Sequence, residues 1–528
     1  MTGLYHGTWW DWHGGEPAAE LMTGRFVRLL PPEDVPPAEF DEDDLRRLAE
    51  QMTSEEEKGG PTPEGKPDPE EDPEITAAYT YIGQYTDHDL TFDPTSQLRK
   101  PPLSTAQINA LADFRTPRFD LDNLYGRGPA DQPYLYQDDG IRMQLGKRLS
   151  GNPFDPGARD LPRGPNGRAL IGDPRNDENR IVAQLHAIFL RFHNQMVEHL
   201  GNGASFEAVC DQVRWHYQWM LVTDFLPAVI NAGTYASVFP APRQPAEPTL
   251  PGLVHDEGYG IALMPVEFSV AAFRFGHSMI RPEYRLNTTI ERRPIFSPDN
   301  HDGVPADVAA DLGGFRRIPS DWAIDWQFFI DLEHGAEPAS ISPLDDRIRR
   351  QPQSAYKIDT SLVSPLRQLP SRIAADPSIL ALRNLMRGNV FGLPSGQAVA
   401  EALGEKPIPD DELVIGKAIA GGENKPLAEI ASGFKGQAPL WAYILSEAQV
   451  TSWQRAKAAK PDVDENSIPV KLGPVGGRIV AEVFAALLRG DPTSYLNQET
   501  AFEPIPTFTH DGKFGLTELI NVALGHTP

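Results

Sequence analysis

The stretch GDPRNDENRIVAQLHAIFLRFHNQMVEHL, residues 172–200, decides the fold class. From Asn179 onward, Ile181, Val182, Leu185, Ile188, Phe189, Phe192, Met196 and Val197 recur at intervals of three and four, the spacing of a helix with a broad apolar face. The proline and acids just before them fit a helix start. Working outward, residues 206–226 repeat the pattern. Residues 42–52, 268–280, 373–386, 412–420, 441–456 and 478–489 are further predicted helices. Strand-like alternation is scarce and no βαβ alternation occurs. The chain therefore reads as mainly α with little β, its helices joined by long loops rich in its 51 prolines and 45 glycines.

The totals narrow the function. With 528 residues, 40% hydrophobic and 23% charged, the composition is that of an ordinary globular protein with room for a large core. A formal net charge of −26 repels nucleic acid and anionic membrane surfaces. The longest apolar runs fall far short of the ~18 residues that a membrane span needs. The lone Cys210 permits no internal disulfide and no cysteine zinc cluster. Residues 1–20 show no basic stretch followed by an apolar one, so the default expectation is a cytoplasmic protein, with leaderless export also compatible. Residues 31–74 are dense in Pro, Asp and Glu. The expected division is a loose acidic arm over 1–75 and a single large catalytic domain over 76–528.

Five segments carry chemistry. In GQYTDHDLT, residues 83–91, a helix would place Gln84, Asp87 and His88 on one face and turn Asp89 away. Arg175 and Glu178 lie three apart at the start of the long helix, where an ordinary cap and ion pair would also account for them. In 268–277 an apolar stretch encloses Arg274 and His277, and burying a cation beside an imidazole is costly unless something anionic or metallic receives them. The segment 384–394, containing Asn384 and Arg387, reads locally as a helix end with a Gly/Pro stop. In the loop 116–122, Thr116, Arg118, Asp120 and Asp122 alternate and would line one edge with oxygen donors suited to a hard cation, without being an EF-hand. His186 and His193 share a face of the long helix but have no partnering Glu-x-x-His, and read as structural.

Together and in this order, the five segments resemble the animal-type haem peroxidases of the peroxidase–cyclooxygenase superfamily, over about residues 81–495. The resemblance implies a single helical domain holding haem b and one calcium ion. It implies that His88 is the distal histidine, Arg175 the distal arginine and Gln84 the distal glutamine. By the same resemblance Asp87 and Glu178 are carboxylates esterified to the haem, and His277 is the ligand of the haem iron. Asn384 would accept its hydrogen bond, and Arg274 and Arg387 would be the cations near the propionates. Asp89, Thr116, Asp120, Asp122 and the carbonyl of Arg118 would bind calcium. Asn179 stands where some members have a methionine that forms a third covalent link, which is excluded here. Without disulfides, the chain resembles a minimal, bacterial-type member.

The activity implied is reduction of hydrogen peroxide, coupled to oxidation of a small anion (iodide, bromide or thiocyanate) or of a phenol, in keeping with a response to oxidative stress. A proton moves between the peroxide oxygens through a neutral His88, while Arg175 stabilises the developing negative charge. A fatty-acid dioxygenase of the same superfamily is the nearest alternative, but those enzymes carry a tyrosine where this chain has Arg274. A non-enzymatic haem- or calcium-binding helical protein would leave the pairing of His88 with Arg175 without a purpose.

Overall fold

The computed structural model describes residues 24–54, 68–93, 98, 102–201, 203–253, 263–297, 311–332, 352–371, 373–374 and 376–526. The expectations for 1–23 and 55–67 lie outside them. The fold is mainly α, as its sequence patterning implies. Its longer helices are α1 (Glu42–Gln51), α2 (Ala77–Leu90), α3 (Arg180–Leu200), α4 (Phe206–Met220), α5 (Leu380–Val390), α6 (Leu440–Ala459), α7 (Pro474–Gly490) and α8 (Leu516–Leu524). Strands are short. Gly24–Val27 pairs antiparallel with Ala112–Asp113 and parallel with Leu263–Pro265, and Glu71–Thr76 pairs with Ser354–Tyr356.

The long helix starts where its patterning places it. The Asn179 side chain accepts from the backbone N–H groups of Ile181 and Val182, each at 2.9 Å, filling the cap that an isolated helix end lacks. Its apolar residues bury against α2, α4 and α8. The α2–α3 contact includes a stack of Tyr85 on Phe189 with centroids 4.4 Å apart. Helix α2 is buried on nearly every side, from Ala77 through Tyr81 and Tyr85 to Asp89. That placement suits an interior helix with no solvent face.

Four departures from the sequence reading have identifiable causes. Residues 268–280 form a short α-helix, Val266–Val270, followed by a 3₁₀ segment, Ala272–His277. The Arg274 carbonyl, which a continuing α-helix would use, instead accepts from the Trp441 indole at 3.2 Å. Helix α5 begins at Leu380 rather than near 373, because Pro377 lacks an N–H and disfavours helical backbone before it. Residues 412–420 are not helical. Val414–Ile415 pairs with Lys425–Pro426, and Gly416 follows at φ 148°, outside helical backbone. Finally, the described part of the amino-terminal region is fastened to the body instead of lying loosely over it. Arg28 donates to the carbonyls of Phe391 and Gly392, both at 2.8 Å, and Leu45, Leu48 and Ala49 of α1 bury against α5.

Candidate active site

Helix α2, the start of α3 and the 3₁₀ segment ending at His277 converge on one cavity of about 310 Å³. Gln84, Asp87, His88, Arg175, Glu178, Asn179, Arg274 and His277 all line it. Residues nearly two hundred positions apart are thus brought to one space. The remaining wall is largely apolar, with Phe275, Ile280, Phe296, Leu366 and Leu369 among its residues. An apolar enclosure with a few convergent polar groups is the usual form of a ligand or cofactor site.

His88 is fixed from behind: its Nδ1 lies 2.8 Å from Asn176 Oδ1, and its Nε2 faces Glu178 Oε1 at 3.9 Å. Glu178 also accepts from the Gln84 amide nitrogen, and Gln84 Oε1 accepts from Asn179 Nδ2 at 3.2 Å. The Glu178 carboxyl belongs to a lining residue of the cavity. Burial raises its pKa, against the pull of His88 and Arg175.

Arg175 donates to the His88 carbonyl at 3.1 Å, and its guanidinium lies over the Phe92 ring at 4.5 Å. Asp173, fully buried, pairs with both Arg175 (2.7 Å) and Arg115 (2.6 Å) and caps the turn by accepting from the Arg175 N–H at 2.8 Å. Burial would raise the pKa of this carboxyl, but the two guanidinium groups outweigh it and hold it well below the usual range. Asp173 thus fixes the direction of Arg175.

On the far side, burial pushes the His277 imidazole down to about 3, with Arg274 adding to the effect, so the ring is neutral and suited to metal ligation. Asn384 Nδ2 lies 2.7 Å from His277 Nδ1, while Asn384 Oδ1 accepts from Arg274 at 3.4 Å. The amide nitrogen faces the ring and Arg274 holds the oxygen. Turning the amide over would let Nδ1–H donate and leave Nε2 with its lone pair. Arg274 is pushed down to about 10 by burial and then by Arg387. Arg387, expected near the cofactor, turns to Asp93 at 2.8 Å and is not among the lining residues. Arg383 lines the cavity in its place.

A second cluster backs α2. Carboxylate oxygens of Asp89, Asp120 and Asp122 all lie within 4.8 Å of one another. Among the described residues, both Asp89 oxygens and Asp122 Oδ1 are buried without a hydrogen-bond partner at good geometry. Burial, and then mutual repulsion, raises the pKa values of Asp89 and Asp122 well above the carboxylate range; for Asp122 the Arg115 guanidinium opposes the rise. Thr116 Oγ1 donates to Asp120 at 2.6 Å, and Arg118 is buried in the same loop.

Sequence reasoning passed over Asn176, Asp173 and Arg383. Asp173 was visible only as a helix-start acid. Asn176 and Arg383 carry no local signal, since what defines them is a partner or a cavity formed by distant segments.

The model of the family described as animal haem peroxidase matches residues 99–306, which takes in Arg175, Glu178, His277 and the acidic loop and leaves the His88 segment outside. Dog thyroid peroxidase is 25% identical over 325 residues, 56% of this chain and 30% of its own length. Peroxidase A from Dictyostelium discoideum has the same fold, with a TM-score of 0.54 at 17% identity, over 91% of this chain and 90% of that one. Residues 99–306 thus match the animal haem peroxidases by sequence, and the chain shares the fold of Peroxidase A. The same fold is found in a fatty acid alpha-dioxygenase from Oryza sativa, at TM-score 0.52 and 15% identity over 96% of this chain and 80% of that one. The match to the dog enzyme spans less than a third of that protein. Among the described residues no helix is long and apolar enough to cross a membrane.

Proposed function

We propose that this chain is a member of the peroxidase–cyclooxygenase superfamily and a haem-dependent peroxidase that reduces hydrogen peroxide and oxidises a small anion or a phenol. The observation that carries the reading is the single cavity lined by His88, Arg175 and Gln84 together with His277. The residues fit haem b. His277 is neutral and faces the cavity, so Nε2 can ligate iron once the Asn384 amide turns its oxygen to Nδ1. Arg274 and Arg383 offer guanidinium groups to the two propionates, and Asp87 and Glu178 are carboxyls in the same space for ester links. Bound haem supplies the redox couple that takes up the two oxidising equivalents of peroxide.

The chain's own residues supply the rest. His88, with Nδ1 engaged by Asn176, presents Nε2 as the base that takes a proton from peroxide and returns it to the departing oxygen as water forms. Arg175, held by Asp173, stabilises the negative charge on that oxygen. Calcium at Asp89, Thr116, Arg118, Asp120 and Asp122 would neutralise the buried carboxylates and tie the end of α2 in place beside His88. Iodide, bromide, thiocyanate or a phenol would give up the electrons. The reading includes a location in the cytoplasm.

The test is reconstitution of the full chain with hemin. A Soret band should appear and be lost or shifted in His277→Ala. His88→Ala and Arg175→Ala should keep the band but slow peroxide-dependent guaiacol or iodide oxidation by about 10²–10⁴. Protein that stays colourless with hemin, or His88→Ala that is as fast as the parent, overturns the reading. Consumption of a fatty acid and dioxygen without peroxide would assign the oxygenase chemistry instead.

A further inference from the structure

Behind His88 runs a buried chain of three side chains. His88 Nδ1 meets Asn176 Oδ1 at 2.8 Å, and Asn176 Nδ2 meets His186 Nδ1 at 3.1 Å. Asn176 and His186 have no exposed surface, and His88 is almost as deeply buried. Among the described residues His186 Nε2 has no hydrogen-bond partner, and the Tyr85 ring lies edge-on at 5.9 Å.

We propose that His186, acting through Asn176, is a positioning residue that sets the tautomer of His88. The inference rests on the peroxidase reading for its consequence, though not for its geometry. A primary amide has one donating and one accepting end. It can satisfy two imidazole Nδ1 atoms only if one ring donates and the other accepts. The two tautomers are therefore locked together. In the arrangement the structure contains, His88 Nδ1–H donates to Oδ1, the amide N–H donates to His186 Nδ1, and His186 carries its proton on Nε2. His88 Nε2 then faces the cavity with a lone pair, the form a base needs. In the reversed arrangement every bond turns round, and Nε2 presents a proton where the base should be. Burial pushes the His186 pKa down to about 3, so the ring stays neutral and can accept at Nδ1, whereas a charged ring would hold protons on both nitrogens and force the reversed sense. Orienting the catalytic imidazole from its other nitrogen is a role usually met by a carboxylate or a carbonyl. Here an amide relays it from a second histidine, ten residues further along in α3.

Neutron diffraction from perdeuterated crystals of the full chain reads this directly. The expected map has deuterium on His88 Nδ1 and on the Asn176 nitrogen facing His186. Deuterium on His88 Nε2, with the amide reversed, overturns the proposal whether or not the protein is a peroxidase. Kinetics provide the second arm, with hydrogen peroxide and guaiacol on the haem-loaded protein. His186→Leu removes the acceptor and should lower kcat/KM for peroxide ten- to hundredfold, with KM for guaiacol unchanged. His186→Gln, whose side-chain oxygen can still accept from Asn176, should restore most of the loss. A His186→Leu protein as fast as the parent, or a Gln variant no better than Leu, overturns the proposal. Should the leucine variant not fold, the neutron map still decides.

Discussion

Removing the cation from the Asp89–Asp120–Asp122 cluster should make the protein's stability depend on pH in a way it does not when calcium is present. With oxygens within 4.8 Å, a pair of ionised carboxylates repels by about 3.5 kcal/mol at an effective dielectric constant of ~20, so three pairs reach roughly 10 kcal/mol. A metal-free fold escapes this by holding protons. The raised pKa values of Asp89, Asp120 and Asp122, each led by burial, express the same pressure. The sign follows from linkage. Above the unfolded carboxylate pKa of about 3.9, the folded state holds more protons than the unfolded one, so stability falls as pH rises towards the raised folded values. One to two retained protons give a slope of about 1.4–2.7 kcal/mol per pH unit, or roughly 3–5 kcal/mol between pH 5 and pH 7. At ~2.1 cal/mol/K per residue, the 528-residue chain unfolds with an entropy near 1.1 kcal/mol/K, so the Tm should drop by about 3–5 °C over that interval. Scanning calorimetry at pH 5, 6 and 7, in chelator and in millimolar calcium, measures it. Calcium should flatten the slope, and Asp89→Asn with Asp122→Asn should flatten it without calcium. Equal slopes with and without calcium in the parent protein would refute the reasoning.

Glu447→Ala should cost about 2–4 kcal/mol, because the buried carboxylate accepts from the N–H groups of Val475 (3.0 Å) and Gly476 (3.1 Å) at the start of α7, where Gly473 has no side chain to do so; thermal unfolding would show it while the Soret band of the haem-loaded protein stays unchanged. Asp173→Asn should destabilise by about 3–5 kcal/mol, since it strands two guanidinium groups around a buried site. The parent's advantage over that variant should be full above pH ~4 and shrink only as pH falls through the depressed folded pKa of Asp173, which acid titration of both proteins checks. Gly396→Ala should cost about 1–3 kcal/mol by chemical denaturation, because a Cβ there would sit 2.0 Å from Tyr443 Cγ.

What a sequence shows of such a site depends on whether the deciding interaction is local. Helix α3 was legible because its periodicity and the proline and acids that precede it sit within one segment. Helix α2 was legible only through its chemistry, since a helix buried on nearly every side has no polar face for a hydrophobic period to reveal. The break before His277 was not legible, because the group that takes the Arg274 carbonyl is Trp441, 167 positions later. Distance explains the site residues too. His277 announces itself by residue type, since an imidazole buried beside a cation is costly in apolar surroundings without a purpose, and His88 and Arg175 do so only through the five segments taken together. Asn176 and Arg383 do not: an asparagine beside a helix start looks like any turn residue, and an arginine on α5 looks like a solvated face. Asn176 is set apart by the two imidazoles at either end of its amide, 88 and 10 positions away. The same reasoning separates Arg383 from Arg387. Both lie on α5 four residues apart, but Asp93, 294 positions before Arg387, already engages that guanidinium and leaves Arg383 to face the cavity. Hemin affinity should therefore fall more in Arg383→Ala than in Arg387→Ala, the reverse of the order that motif resemblance assigns, and equal or opposite losses would place the propionates at Arg387 after all.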